Sequence, residues 1–391
     1  MERVAIELVD SGLTTVSSRG RVSTPSPGLA IVDGDTLLAD KLGGEFDGHP
    51  LDEITRLIAE HDVRCPKCNG KLGEAKKFGL MFKTHVGSVE DGASTAYLRP
   101  ETAQGIFYNF GLVQQSMRMR VPFGIAQIGK AFRNEITTGN FIYRTREFEQ
   151  MEIEFFVEPG TELEWFEHWQ AATWAFYVSL GLREDKLRWR EHAKEELSHY
   201  SNRTADLEYL FPWGKWGELQ GTASRTDYDL TQHQAASGQK MLYEDPVTRE
   251  KYIPHVVEPS FGVNRAILAV LCDAYAEEEV RGETRTLLRL NNAMAPCKVA
   301  VFPLSKKDEL IAVSKRLFDD LRTRWPAIHD TLGSIGKRYR RHDEIGTPYC
   351  VTVDFDSLDD KAATVRHRDS MEQDRPSLDR MVEYLEDKLG A

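Results

Sequence analysis

Two stretches rich in β-formers, 125–136 and 148–157, are joined by a polar loop, and this pair constrains the fold more than any other feature of the chain. Runs of that length and separation predict an antiparallel hairpin. The second run alternates sharply, with Gln150, Glu152 and Glu154 on one side and Met151, Ile153 and Phe155 on the other. The first run ends in Phe132-Arg133-Asn134-Glu135, and the chain returns as Tyr143-Arg144-Thr145-Arg146-Glu147-Phe148-Glu149-Gln150-Met151-Glu152. An arginine at the end of a strand is permanently charged and offers a planar fork that suits phosphate oxygens. Carboxylates set between apolar neighbours are costly to bury unless something pairs with them, and an amino-group substrate would do so. Taken alone, the acids read more simply as the solvated face of a hairpin.

Two other stretches bring reactive groups together. Tyr97-Leu98-Arg99-Pro100-Glu101-Thr102-Ala103-Gln104-Gly105 puts a carboxylate on a tight, proline-led loop. It is placed either to grip a small cation or to open a helix with Pro100 and Glu101 in the first turn, and the helix start is the simpler reading. Glu258-Pro259-Ser260-Phe261-Gly262-Val263-Asn264-Arg265 leads from a strand over 252–261 into an apolar helix over 263–276. Gly262 allows close backbone approach at the junction. Arg265 adds a cation to a helix N-terminus that already carries partial positive charge, which is unfavourable without an anion to receive it. A triphosphate is such an anion; a surface arginine is the alternative.

The remaining pattern suggests two architectures in series. Residues 1–36 are short strand-like runs broken by Gly, Ser and Pro, without reactive groups. Residues 52–61 have helical spacing, with Leu51, Ile54, Leu57 and Ile58 on one face. They lead into the turn-rich knuckle Cys65-Pro66-Lys67-Cys68-Asn69-Gly70. A Trp-rich amphipathic helix over 162–180 and an alternating region over 207–230 follow. After the linker 291–296 the pattern becomes strand 298–302, helix 307–324, strand 350–355 and helix 376–389, which predicts a small α/β domain with a mixed sheet. Cys272, Cys297 and Cys350 sit in apolar contexts and read as packing residues.

Charge narrows the partners. With 50 basic and 62 acidic residues the chain carries −12, so it is no general polyanion binder and needs a local basic patch to hold nucleic acid. Residues 297–391 supply one in Lys337-Arg338-Tyr339-Arg340-Arg341-His342, where Arg and Tyr can stack on or hydrogen-bond to unpaired bases. No run of 18 apolar residues occurs, which argues against a membrane-spanning helix. The Met1-Glu2-Arg3-Val4 start lacks a signal-peptide pattern, and five cysteines make no disulfide framework; a cytoplasmic location fits.

In this order the first and third constellations resemble the second and third motifs of the class II aminoacyl-tRNA synthetases. The wording of all three closely resembles the homodimeric-type glycyl-tRNA synthetase family, from about Leu37 to the C-terminus. The resemblance implies an α+β catalytic domain, an antiparallel sheet flanked by helices, over 37–296. It implies a small α/β anticodon-binding domain over 297–391, and leaves 1–36 unmatched. The implied activity is ATP-dependent ligation of glycine to tRNA-Gly through glycyl-adenylate, with ATP and Mg²⁺ and no covalent nucleophile. Arg133 and Arg265 match the catalytic arginines, on the α- and γ-phosphate sides. Asn134, Glu135, Tyr143, Arg144, Thr145, Arg146, Glu147 and Phe148 match the loop that folds over ATP. Glu218 and Leu219, in Trp216-Gly217-Glu218-Leu219-Gln220-Gly221, match a further ATP contact, as do Gly262, Val263 and Asn264 around Arg265. Glu101, the run Phe148, Glu149, Gln150, Met151 and Glu152, and the run Glu258, Pro259, Ser260, Phe261 and Gly262 match the glycine pocket, where carboxylates would surround the ammonium. Lys337, Arg338, Arg340 and Arg341 fall in the anticodon domain.

The chain departs from the family in places. The first class II motif, which builds the family's dimer interface, is not found, which implies either a diverged paralog or a reading frame truncated or misread at its 5′ end. The family's homodimer is expected here, weakened by that loss. Leu38 stands where the family carries a substrate-contacting arginine. Asn264 stands where relatives often have aspartate. Only Cys65 and Cys68 remain of two cysteine pairs; with His61 nearby they leave a four-ligand zinc site short of donors. Two other readings are open: a catalytically impaired, synthetase-like accessory protein that binds nucleic acid, and an adenylating enzyme with an acceptor other than tRNA. The retained Arg133, Glu135, Arg265, Glu101 and Glu152 argue against the first, and the anticodon-type domain against the second.

Overall fold

A computed structural model describes residues 2–8, 15–16, 22–23, 31–33, 37–38, 41–43, 50–65, 69–79, 81–88, 92–136 and 138–390. The chain folds as two compact units. One comprises Met1–Phe156, Asp229–Pro254 and Ser260–Asn264; the other comprises Val157–Tyr228, His255–Pro259 and Arg265–Ala391.

In the first unit, β1 (Glu2–Leu8) pairs antiparallel with β2 (Ile31–Asp33) and with β3 (Leu72–Gly79). The expected helix forms as α1 (Leu51–Glu60). Its Ile54 and Ile58 join Leu37, Leu38, Val63 and Ala75 in a small apolar core, and the Ala75 amide donates to Thr55 Oγ1 at 2.9 Å. Leu38, which replaces the family's arginine, is wholly buried in this core, so the position serves packing.

The expected hairpin is β4 (Phe123–Phe132) with β5 (Glu147–Val157), in register from Phe123↔Phe156 to Phe132↔Glu147. Gly139 and Arg144 exchange backbone hydrogen bonds in its loop. A helix α2 (Ala103–Ser116) starts directly after Glu101, and its Phe110 packs on Phe123 and Phe156 with ring centroids 6.0 and 4.6 Å apart. The solvated-face reading of β5 is overturned. Gln150, Glu152 and Glu154 are buried, at 6, 3 and 0% exposure, while Ile128, paired across from Met151, is 70% exposed. The polar side of the strand is the inner one.

In the second unit, α3 (Glu162–Ser179) accompanies an antiparallel meander of β6 (Leu187–Glu191), β7 (Arg203–Leu210) and β8 (Trp216–Thr226). The alternating region over 207–230 is two strands rather than one. Phe211 N–H donates to Lys215 O, and Gly214 takes φ +77°, closing the turn between them. β9 (His255–Gly262) runs straight into α4 (Val263–Ala274), as expected.

β10 (Tyr275–Val280) and β11 (Glu283–Leu288) then make a hairpin that the sequence reading missed. The C-terminal part is the expected mixed sheet, ordered β13-β12-β14-β15-β16. Its strands are β12 (Val299–Pro303), β13 (Ala327–His329), β14 (Tyr349–Val353), β15 (Thr364–His367) and β16 (Gln373–Asp374). β12 pairs parallel with β13 and β14, and the other pairs are antiparallel. α5 (Asp308–Leu321) and α7 (Met381–Leu389) place Leu310, Leu317, Leu321, Met381 and Leu385 in its core. Between them the basic cluster forms α6 (Ile335–Glu344). Cys297 and Cys350 are buried, but Cys272 is only half-buried, which corrects its reading as a buried residue. No described helix is long and apolar enough to cross a membrane.

Candidate active site

In the first unit the site residues gather around one carboxylate. Glu152 Oε2 accepts from the Thr102 amide at 2.8 Å and from the Thr102 hydroxyl, at the N-terminus of α2. Glu152 Oε1 accepts from Gln150 Nε2 at 2.6 Å and from Ser260 Oγ at 2.9 Å. All four donors are neutral. Together with the helix N-terminus they make burial of the charge tolerable without a fixed cation, leaving the negative charge itself uncompensated by any protein partner in this cage. Gln150 Oε1 is buried with no hydrogen-bond partner, so a second acceptor adjoins the carboxylate. Glu101, just before α2, accepts from Gln104 Nε2 at 3.0 Å, consistent with the simpler helix-start reading of this loop.

The hairpin sets the phosphate-type residues. Arg133 N–H donates to Arg146 O at 2.9 Å, and Arg133 Nε to Pro100 O at 3.2 Å, with the guanidinium 5.4 Å from the Phe148 ring centroid. Arg146 Nε donates to the carbonyl of the buried Glu135 at 3.1 Å. Tyr143 N–H donates to Asn140 O, Thr145 Oγ1 to Glu147 O, and Asn134 Nδ2 to Gly79 O at 3.4 Å. Glu147 is an exposed partner of Lys130. Asn264 Oδ1 accepts the Glu149 amide at 2.9 Å, a backbone-bracing role that needs an acceptor and no charge, so asparagine serves as well as the family's aspartate. Arg99, unnoticed in the sequence, crosses β4 at Gly129, where a Cβ would stand 2.5 Å from its Nη2.

In the second unit Arg265 Nη1 donates to Glu218 Oε2 at 2.9 Å and to Glu218 O at 3.0 Å. The cation at the helix start thus has a carboxylate partner within the protein, which the sequence reading did not foresee. The Leu219 carbonyl accepts from Tyr177 OH at 3.3 Å, and burial raises the pKa of that phenol. Glu258 is buried and pairs with Arg225 Nη1 at 2.7 Å, while the Arg225 guanidinium lies 4.0 Å from the Tyr200 ring centroid. Tyr177 and Arg225 carry no sequence signal of their role, since each acts through a distant partner.

The basic cluster divides by environment. Arg338 is 2% exposed and donates to Pro303 O at 2.5 Å and Gly333 O at 2.9 Å, so its guanidinium belongs to the fold and not to the free patch. Lys337 is exposed, Arg341 pairs with Asp330, and Arg340 approaches Glu283 at 3.9 Å. Lys337, Tyr339, Arg340, Arg341, Arg281 and Arg366 border a cavity of about 710 Å³.

The metal reading is not carried further. Cys65 is buried and the knuckle turn closes through Asn69 N–H to Cys65 O at 2.8 Å, but Cys68 lies outside the described residues and His61 is exposed. Among the described residues no group of three or more His, Cys, Asp or Glu side chains is arranged to hold a metal ion.

An antiparallel core with paired arginine and carboxylate clusters, followed by a mixed-sheet domain, defines a class II aminoacyl-tRNA synthetase. The sequence matches the tRNA synthetase class II core domain (G, H, P, S and T) over residues 82–274 and an anticodon binding domain over residues 298–388. It is 58% identical over 345 residues to a glycine–tRNA ligase of Caldanaerobacter subterraneus subsp. tengcongensis, covering 88% of this chain and 74% of that protein. It is 56% identical over 349 residues to the glycine–tRNA ligase of Acetivibrio thermocellus, with the same coverage, and 56% identical over 337 residues to that of Streptomyces coelicolor, covering 84% and 73%. The chain belongs to the glycine–tRNA ligase family.

Proposed function

We propose that this chain ligates glycine to tRNA-Gly in two steps. A glycine carboxylate oxygen attacks the α-phosphorus of ATP, the bond to the bridging oxygen breaks, and pyrophosphate leaves. The terminal ribose hydroxyl of the tRNA then attacks the carbonyl of glycyl-adenylate, losing its proton, and AMP departs. Mg²⁺ enters with ATP as part of the substrate. The protein contributes positioning and charge: Arg133 on the α-phosphate side, Arg265 on the γ-phosphate side, and the loop carrying Arg146 over the nucleotide. The Glu152 cage, with Glu101 and Ser260 beside it, receives the glycine ammonium. A pocket this crowded rejects larger amino acids sterically. The observation that carries the reading is that all these side chains are retained in a chain 58% identical to a glycine–tRNA ligase. No comparison favours the accessory-protein alternative.

The test is ATP–pyrophosphate exchange with each common amino acid in turn. Glycine alone should stimulate it; stimulation by none would favour the accessory protein.

The proposal extends to organisation. Residues 37–296 form the catalytic domain and 297–391 the anticodon-binding domain; the family matches fall inside these limits. The protein works in the cytoplasm as a homodimer, to which Tyr108 and Leu112, one turn apart on α2 and 74 and 68% exposed, would offer apolar surface. Lys337, Arg340 and Arg341 read the anticodon. Arg340→Gln with Arg341→Gln is expected to weaken tRNA binding about tenfold while glycine-dependent exchange persists, because only RNA contacts are lost. Filter binding measures it, and an unchanged tRNA affinity removes the patch from the proposal.

A further inference from the structure

Behind Arg265 lies a second layer of charge. β7 pairs with β8 so that Asp206 faces Gly221 and Glu208 faces Glu218, and the register shifts between Leu207 and Glu208. The extra residue on β8 falls at Leu219, and such a bulge re-aims the side chains beside it. Asp206 Oδ1 and Glu218 Oε1 both reach the space above Gly221, 3.4 and 4.0 Å from where a Cβ would stand. A side chain there would fill the gap between the two carboxylates.

Asp206 is enclosed by named partners. His192 Nε2 lies 2.8 Å from Asp206 Oδ2, with Arg190 Nη1 at 3.8 Å. Arg190 is itself engaged by Glu196, and Glu208 on the same strand by Arg188 at 2.6 Å. Burial, then the charge of Glu218, pushes the Asp206 carboxyl up to about 6, against the opposing pull of His192 and Arg190. On its other side Glu218 holds Arg265 by both its carboxylate and its carbonyl.

We infer that Asp206, acting through Glu218, is a positioning residue for Arg265, and that its ionisation makes nucleotide binding pH-dependent; this rests on the role proposed above for Arg265. For Arg265 to turn onto phosphate oxygens it must leave Glu218. With Asp206 ionised, that departure exposes two facing carboxylates to each other; with Asp206 protonated, it does not. The cost of engaging ATP therefore rises as pH passes upward through the Asp206 titration.

The test is the dissociation constant for ATP between pH 5 and 8, with the KM for ATP in glycine-dependent exchange, for the wild type, Asp206→Asn and His192→Gln. ATP's own titration cancels in the ratio of wild type to variant. That ratio for Asp206→Asn should step by about tenfold, with the wild type weaker above the step. In His192→Gln the step should persist but move to higher pH, because the partner that lowers the Asp206 pKa is gone. A ratio that stays flat with pH, whatever its size, means a merely structural role and overturns the inference. Absence of exchange in the wild type would instead count against the proposed function, while the ATP dissociation constants would still decide the role of Asp206.

Discussion

Arg133→Ala should lower the rate of glycine-dependent ATP–pyrophosphate exchange by about 10²- to 10³-fold, the scale on which one preorganised group stabilising transition-state charge is felt. Arg133 stands at the end of β4, where its amide is tied to Arg146 O and its Nε to Pro100 O. Those bonds use one face of the guanidinium and fix its plane, leaving the Nη groups to meet an oxyanion without reorganisation. Arg133→Lys keeps the charge but loses the fork and the Pro100 anchor, so it should recover only part of the rate. The fold should tolerate both changes, since the residue is only half-buried and the lost neutral bond is worth about 1 kcal/mol. Exchange assays on protein with an unchanged melting profile read the effect. Near-normal exchange in Arg133→Ala would remove this arginine from the reaction.

Local pattern reached some elements and not others, for physical reasons. α1 and the β4–β5 hairpin were legible because each is specified by its own periodicity, 3.6 residues for the helix and two for the strands. The direct entry of α4 from β9 was legible at Gly262 for the same local reason. Which side of β5 faces inward was not. Its answer depends on Thr102, 50 residues away, and on Ser260, 108 residues away, which supply neutral donors that make burial of Glu152 affordable. Arg265 and Arg338 show the same limit. Each looked free for an anion or a base, yet Arg265 is held by Glu218 and Arg338 by two carbonyls, partners 47, 35 and 5 residues distant. α6 was hidden because a cluster dense in Arg and Lys reads as a solvated run, whereas Arg338, His342 and Asp343 are its inward residues. Site residues were named by type and motif; the state of each, paired or poised, was set by chain far away.

That dependence makes Glu152 the sharpest place to separate folding from chemistry. Glu152→Ala leaves the Thr102 amide and hydroxyl, Gln150 Nε2 and Ser260 Oγ without their acceptor in a site only 3% exposed. Unsatisfied buried donors cost about 1–3 kcal/mol each, offset in part where water enters the vacated space, so a loss of about 3 kcal/mol is expected. Glu152→Gln is different. Its amide oxygen can still accept from Thr102, and on the other side the Ser260 hydroxyl can turn and the Gln150 amide can flip to present Oε1, which has no partner in the native arrangement. Stability should therefore fall by only about 1 kcal/mol. The charge is gone, however, and on the proposed reading that charge receives the glycine ammonium. The KM for glycine in exchange should rise by more than about tenfold, the scale of one charge-assisted hydrogen bond, while the KM for ATP moves little. Thermal melts and glycine saturation curves on the two variants measure both quantities. A Glu152→Gln protein that melts normally and keeps its wild-type KM for glycine would mean that the carboxylate serves only to tie β5 to the start of α2, and the ammonium would have to be sought at another acid.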